Sequence, residues 1–393
     1  MWETVKLEDI ADVKAGNPAP QDKNLFEHGV YPFVRTSDVG KVKVGSLSDA
    51  NDKLNQQGIA KLKLFPKGTI LFPKSGASTF LNHRVILEMD AYVASHLATI
   101  KSKQDDVSDK YLWYFLQNID AADLVADSAY PSLNTKTIQS IPISLPPLEE
   151  QERIVAKLDA AFAEIDEAKK IASSAADSAN QLFKKKLSLI FLTSRSGWHN
   201  TTIVNCCQLK SGNTINKALE KTEGELPYLK VADMNLASNV NGVITSSRFV
   251  SKADISDKAL IKKGSVIFPK RGGAIATNKK RLTLTDICAD LNIMSVYPQA
   301  SLIPELLYYF FKNIDMAMLG SGSSIPQINN YDIEPLSISY PVDKREQLNL
   351  ASKLKDIEHE TKRLAATYQC KVAELIKLKS AILLKELQPS EAA

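Results

Sequence analysis

Two short segments hold residue types suited to gripping a nucleic acid. One reads Lys74-Ser75-Gly76-Ala77-Ser78, followed by Asn82-His83-Arg84. The other reads Lys270-Arg271-Gly272-Gly273-Ala274, followed by Thr277-Asn278-Lys279-Lys280-Arg281. From Lys270 to Arg281 there are five basic residues and no acidic one. Glycine lets a backbone approach a ligand, Lys and Arg neutralise phosphates, and Asn, Ser and Arg can hydrogen-bond base edges. Lys74, Ser75, Asn82, Arg84, Lys270, Arg271, Asn278, Lys279, Lys280 and Arg281 are therefore candidate DNA contacts. The competing reading is an ordinary solvated basic loop. Arg35-Thr36-Ser37 and Lys230 are weaker candidates of the same kind. The aromatic sets around Trp113 and Tyr308 read as core.

Catalytic chemistry is not written in the chain. There is no phosphate-binding GxxxxGK[ST] loop and no HExxH, and Gly320-Ser321-Gly322 lacks the later glycine of a dinucleotide fingerprint. No Asn-Pro-Pro-aromatic or Asp-Pro-Pro-aromatic tetrapeptide of the amino-methyltransferase kind occurs. No acidic cluster has the spacing a nuclease metal would need. The histidines are dispersed, and the one inside a repeated segment, His96, has Asn292 as its counterpart. A polar contact, structural or to a ligand, fits that exchange better than a catalytic base does. Cys206, Cys207, Cys288 and Cys370 form no CxxC pair and have no His at ligand spacing, so they read as reduced structural thiols. No catalytic residue and no metal site is expected.

The elements that position these segments come from an internal repeat, which fixes the architecture. The stretch opening at Trp2 begins again at Trp198, about 196 residues later. Val13-Lys14-Ala15-Gly16-Asn17 returns as Leu209-Lys210-Ser211-Gly212-Asn213, and Asp38 returns as Asp233. Lys67-Gly68-Thr69-Ile70-Leu71-Phe72-Pro73-Lys74 returns as Lys263-Gly264-Ser265-Val266-Ile267-Phe268-Pro269-Lys270. Glu150-Gln151 returns as Glu346-Gln347. One polypeptide imitates a two-fold dimer, a form suited to a two-part, asymmetric target.

Each copy opens with mixed structure. The runs Thr69 to Phe72 and Ser265 to Phe268, bounded by Gly and Pro, read as strands. Asp109 to Leu116 and Pro304 to Phe311 read as short buried helices. Each copy closes with a long helix. Proline disfavours helix in the residue before it but fits a first turn, so Pro146-Pro147 ends the extended segment Ile141 to Leu145 and starts the helix. Ile154, Leu158, Ala161, Ile165, Ala168, Ala172, Ala175, Ala179 and Leu182 follow at coiled-coil spacing. In the second copy Leu350, Leu354, Ile357, Thr361, Leu364, Tyr368, Val372 and Leu375 do the same with a stutter. The two helices are expected to pair antiparallel within the chain, with a coiled coil between two chains as the alternative.

Composition agrees with a multi-domain globular protein: 44% of residues are hydrophobic and the net charge is +4. That charge is compatible with nucleic acid without deciding for it. No apolar run is long enough to span a membrane, and the N-terminus lacks a signal-peptide layout, so a cytoplasmic location is expected.

The pattern resembles the specificity subunit of type I restriction–modification systems. The resemblance rests on the Trp-x-x-Val-x-Leu opening of Trp2 to Leu7 and on Gly68 to Gly76. It rests most on Ile141-Pro142-Ile143-Ser144-Leu145-Pro146-Pro147-Leu148-Glu149-Glu150-Gln151-Glu152-Arg153-Ile154-Val155. The second copy is degenerate there: Ser337-Ile338-Ser339-Tyr340-Pro341 leads to Glu346-Gln347, and Asn349-Leu350 stands for Arg153-Ile154. The resemblance implies an α+β fold of two mixed α/β target recognition domains, residues 1–145 and 197–341. An antiparallel pair of long coiled-coil helices, 146–196 and 342–388, would join them, with a tail at 389–393. Each recognition domain would read one half of a split sequence in double-stranded DNA, and the helices would set the gap. Glu150, Gln151, Arg153, Ile154, Glu346 and Gln347 would dock two methyltransferase subunits, which bring S-adenosylmethionine and modify adenine. Restriction subunits with ATP- and Mg-dependent translocation would join them, and this chain would bind no cofactor. A non-enzymatic coiled-coil scaffold that binds protein partners without reading DNA is the alternative.

Overall fold

The structure, a computed structural model, describes residues 2–125, 131–192, 195–320 and 325–388. Ser321, Gly322 and the expected tail at 389–393 lie outside the described residues. The chain forms two compact units, Met1–Ile171 with Lys371–Ala393, and Ala172–Cys370.

In the first unit a five-stranded sheet runs in the order Ala11–Ala15, Leu97–Ser102, Ile70–Pro73, Arg84–Leu87 and Val44–Leu47. Its pairings are antiparallel except the last, which is parallel. The central strand Ile70–Pro73 is buried throughout. Side chains alternate across a strand. Ile70 and Phe72 accordingly join the cluster around Tyr111 and Leu112 of the helix Asp109–Gln117, and Leu71 joins the cluster of Val34, Val39 and Val93 on the other face. That explains an unbroken apolar run between a glycine and a proline. Ser108 caps the helix, its hydroxyl accepting from the Tyr111 N–H at 3.3 Å. A smaller sheet orders Asp52–Leu54, Tyr31–Val34 and Tyr92–Val93. Strand Glu3–Lys6 pairs antiparallel with Pro142–Leu145 and ties the start of the domain to its end.

The second unit repeats the plan. Its main sheet orders Cys207–Ser211, Ile293–Pro298, Val266–Pro269 and Arg281–Leu282. Its smaller sheet orders Phe249–Val250, Leu226–Leu229 and Cys288–Ala289, and Trp198–Thr202 closes on Ser337–Pro341. Where the first unit has the strand Val44–Leu47, the second has a single bridge, Val243 to Thr283. Gly16 and Gly212 show why a glycine recurs: a Cβ would lie 2.3 Å from the Ala94 carbonyl oxygen in one and 2.0 Å from that of Asp290 in the other.

The long helices are Leu148–Leu192, 45 residues, and Lys344–Glu386, 43 residues. At 1.5 Å per residue each is roughly 65 Å long. In the first unit Leu383 and Leu387 share a cluster with Ile154, Leu158, Phe162 and Ile165. Lys157 pairs with Glu386 at 2.8 Å and Asp166 with Lys379 at 2.7 Å, so numbers rise on one helix as they fall on the other. In the second unit Leu187, Ile190 and Phe191 pack with Ala351 and Leu354. The pairing is intramolecular and antiparallel, as the sequence led us to expect.

The seam departs from expectation at two leucines. Leu182 is 55% exposed while Phe183 packs inward, and Leu364 is 45% exposed while Ala365 is buried. Ile154, Leu158 and Phe162 are all buried at consecutive four-residue steps, and this rotates the buried stripe off a strict heptad.

Candidate nucleic-acid interface

The glycine-rich segments leave the central strands as turns of 3-10 helix, Ala77–Leu81 and Gly272–Thr277, each ended by a left-handed asparagine. Asn82 and Asn278 both have φ near +52°, a conformation asparagine tolerates better than most residues. Their side chains do matching work. Asn82 Oδ1 accepts from the Ala121 N–H at 2.8 Å, and Asn278 Oδ1 accepts from the Met316 N–H at 2.9 Å. Asn82 also donates to Asp120 at 2.8 Å. Both read as loop pins.

Arg84 is fully buried. Its guanidinium lies 3.5 Å from the Phe72 ring centre and donates to the carbonyls of Leu116, His83 and Ile119 at 3.1, 2.9 and 3.0 Å. Leu116 lies in the last turn of the helix Asp109–Gln117 and Ile119 just beyond it, where a cation is favoured by the helix dipole. Burial pushes the Arg84 pKa down to about 9, so it stays charged at neutral pH. Lys280 is its counterpart: 5% exposed, donating to the Ile314 carbonyl at 2.6 Å and to Asn278 at 2.5 Å. Burial pushes its pKa down to about 8. Lys270 is 8% exposed and donates to the Ser211 hydroxyl at 2.7 Å, with its pKa lowered by burial and then by Arg271. Arg84, Lys280 and Lys270 are therefore corrected: they are internal cations with carbonyl or hydroxyl partners, and a duplex cannot reach them.

Arg271 is exposed, and Lys74, Ser75 and Lys279 are half-exposed. Lys279 leans on the Asn235 side chain. Arg281 donates to the Lys280 carbonyl at 2.9 Å and keeps a buried Nε without a partner.

Arg35 and Lys230 stand at equivalent corners. Arg35 pairs with Asp52 at 2.5 Å and lies over Phe26 and Phe33. Lys230 pairs with Glu220 at 3.1 Å, and Glu220 also holds Arg248 at 3.2 Å. Thr36 is half-exposed and Ser37 exposed at the start of the helix Thr36–Val42. The sequence showed Asp38 and Asp233 only as landmarks; the structure gives them work. Each is buried and accepts the N–H of its corner cation, Arg35 at 2.9 Å and Lys230 at 2.8 Å. Burial raises the Asp233 pKa, but hydrogen bonds from Ser247 and from the backbone of Lys230 and Ser247 outweigh it and hold it below the usual range. The equivalent corner thus carries Arg35 with Asp52 in one copy, and Lys230, Arg248 and Glu220 in the other.

At the helix starts, Gln151 is 1% exposed and Gln347 is fully buried, and Ile154 is fully buried in the first core. These three are corrected as docking residues, because no partner can touch them. Glu150 and Arg153 bind each other at 2.7 Å on an accessible face, and Glu346 is exposed.

A family sequence model described as the type I restriction modification DNA specificity domain matches residues 1–173 and again 195–369. The chain belongs to this family. The type I restriction enzyme MjaIX specificity subunit of Methanocaldococcus jannaschii is 22% identical over 375 residues, 86% of this chain and 83% of that protein. The putative MjaX specificity subunit of the same organism is 28% identical over 164 residues, 39% of this chain and 37% of that protein. Among solved structures, the fold is similar to a chain from a study of complex assembly and conformational transition of the type I R-M system. Its TM-score is 0.78 at 19% identity, covering 98% of this chain and 97% of that one. It is also similar to the HsdS subunit of Thermoanaerobacter tengcongensis, with TM-score 0.60 at 19% identity, covering 98% and 96%. Membership makes this a DNA-specificity chain rather than a scaffold, and a recognition component rather than the catalyst. Among the described residues no three His, Cys, Asp or Glu side chains are grouped to hold a metal, and no helix is long and apolar enough to cross a membrane.

Proposed function

We propose that each unit reads one half of a bipartite target in double-stranded DNA and that the helix pair fixes the gap. The observation that carries this is the double use of one plan. The pins recur (Asn82 and Asn278, and the buried Arg84 and Lys280), while the accessible residues around them diverge: Ser75 against Arg271, and Asp52 against Arg248. Shared scaffolding with different surfaces suits two half-sites of unlike sequence. Lys74, Ser75, Thr36, Ser37, Arg271 and Lys279 are the remaining contact residues, with Arg35 and Lys230 contributing where their ion pairs open.

The helix-start residues Glu150, Arg153 and Glu346, accessible on the surface, would dock two methyltransferase subunits, with restriction and translocase subunits joining through them. S-adenosylmethionine, ATP and Mg would enter with those partners. With a net charge of only +4, the chain alone should bind DNA weakly and gain specificity with the methyltransferase. An electrophoretic shift on random and target duplex, with and without the methyltransferase, tests this. Nanomolar sequence-specific binding by the chain alone overturns the assembly reading. No shift even with the partner overturns the DNA reading.

A further inference from the structure

The second unit holds an open cleft of about 430 Å³ between the end of the first long helix and the start of the second. That volume lies within the range of about 300–1,000 Å³ typical of ligand sites. Lys186, Arg195 and Lys353 line it beside the half-buried Leu350 and Ile357, and Asp356 is the one acid on its rim. The three cations are exposed, and among the described residues none makes an ion pair. Arg195 rests over the Trp198 ring, 5.0 Å from its centre.

The repeat shows what this cleft lacks. Lys353 is the counterpart of Lys157, and Ile190 is the counterpart of Glu386. In the first unit Lys157 and Glu386 bind at 2.8 Å, with the Glu386 side chain only 10% exposed. In the second unit isoleucine replaces that glutamate, so the equivalent lysine has lost its carboxylate. Ile382, the counterpart of Lys186, packs against the first core, whereas Lys186 is exposed and adds another cation.

We propose that this cleft captures an acidic, apolar peptide segment of a partner protein, whose carboxylate takes the place Glu386 fills in the first unit. A phosphate would use the cations but leave the half-buried Leu350 and Ile357 uncovered, so a peptide carrying both leucine-like and carboxylate side chains fits better. At the other helix start the equivalent lysine, Lys157, already holds Glu386. The two docking positions are therefore chemically unequal, and a subunit present once can tell them apart. The inference rests on the assembly reading only for the existence of a protein partner.

The test uses the full chain and a short fluorescein-labelled peptide of alternating leucine and glutamate, followed by anisotropy. Saturable binding is expected, with no binding of the matched leucine–lysine peptide. Lys353→Gln should weaken it about fivefold, as expected for one partner of an accessible charge pair, and Lys157→Gln should not change it. Ile190→Glu, which installs the missing acid, should abolish it; should that variant unfold, the Lys353→Gln and Lys157→Gln comparison decides. No saturable binding, equal binding of both peptides, or equal loss in both lysine variants overturns the proposal. A duplex whose own affinity falls with Lys353→Gln would assign the cleft to phosphate and also overturns it. No target sequence or methyltransferase is used, so failure here leaves the DNA reading standing.

Discussion

Gln151 and Gln347 occupy the same place in the two repeats and make the same three hydrogen bonds. Each amide oxygen accepts a backbone N–H beside the short buried helix, Ser108 at 2.9 Å and Ile303 at 2.9 Å. Each amide nitrogen donates to a carbonyl of the same loop, Asp106 at 3.0 Å and Ser301 at 2.8 Å. Each also donates to the proline carbonyl ahead of the long helix, Pro146 at 2.9 Å and Pro341 at 2.8 Å. The glutamine brackets the helix start to the recognition domain of its own unit.

Replacing either glutamine by alanine strips partners from three buried backbone groups and should cost about 2–3 kcal/mol, read by urea unfolding. Gln151→Glu should be as harmful although it keeps the volume, because a carboxylate cannot donate to two carbonyls. A docking role alone would instead leave unfolding unchanged and weaken only complex assembly.

The Arg84 and Lys280 pair makes a second, comparative prediction. Arg84→Met removes the side-chain donor to the Leu116, His83 and Ile119 carbonyls and should cost about 2–4 kcal/mol. Arg84→Lys should recover part of this, since lysine does the same work at position 280. Neither variant should alter the salt dependence of DNA binding once folded. Arg271→Ala should do the reverse, leaving stability nearly intact and reducing the salt slope by about one unit. A changed slope in Arg84→Lys would return Arg84 to the interface.

These cases show what sequence could and could not convey. The repeat, the central strands, the short helices and the long helices were legible, because periodicity and Gly/Pro punctuation encode local geometry. The acceptors of Arg84 and Lys280 were not legible: they are backbone carbonyls, at Ile119 and Ile314, that any residue supplies. Residue type alone does not separate a ligand contact from a fold pin: Asn82/Asn278, Arg84/Lys280 and Gln151/Gln347 recur because both copies fold alike. The one visible clue was that the Arg84 position keeps its charge but not its length. Leu182 was misplaced for a different reason: three and four spacing fixes a stripe only to within one residue, and Phe183 offered the larger apolar surface to the core.

Lys280 also makes stability depend on pH. Burial holds its folded pKa at about 8, below the ordinary lysine value of 10.5, so the folded state binds fewer protons than the unfolded state between those values. Stability contributed at this site is therefore smallest below pH 8 and rises as pH climbs from about 8 toward 10.5. Lys280→Met lacks the titration. The stability difference, wild type minus variant, should shift in favour of wild type by about 2–3 kcal/mol across that window. Unfolding of both proteins at pH 7.5 and pH 10, values chosen on either side of most of the rise, measures it. A flat difference would mean that Lys280 keeps its proton or reaches solvent.

The helix pair gives the prediction that most directly separates spacing from reading. Two heads on one face of B-DNA must be about one turn, ~34 Å, apart, and helices of roughly 65 Å can span that gap. Neither long helix contains Gly or Pro in its interior. Inserting four residues between Ala172 and Ala179, matched by four near Tyr368 on the other helix, adds about 6 Å and just over one helical turn, which a coiled coil absorbs as a stutter. The buried Ala176, Ala179 and Ala365 make this stretch tolerant, because small side chains leave little specific interdigitation to disrupt. Methylome sequencing of a host carrying the complete system should then show both half-sites unchanged and the unspecified gap lengthened by about one to two base pairs, since a base pair rises about 3.4 Å. Altered half-site bases with a constant gap would show that the helices do not set the spacing.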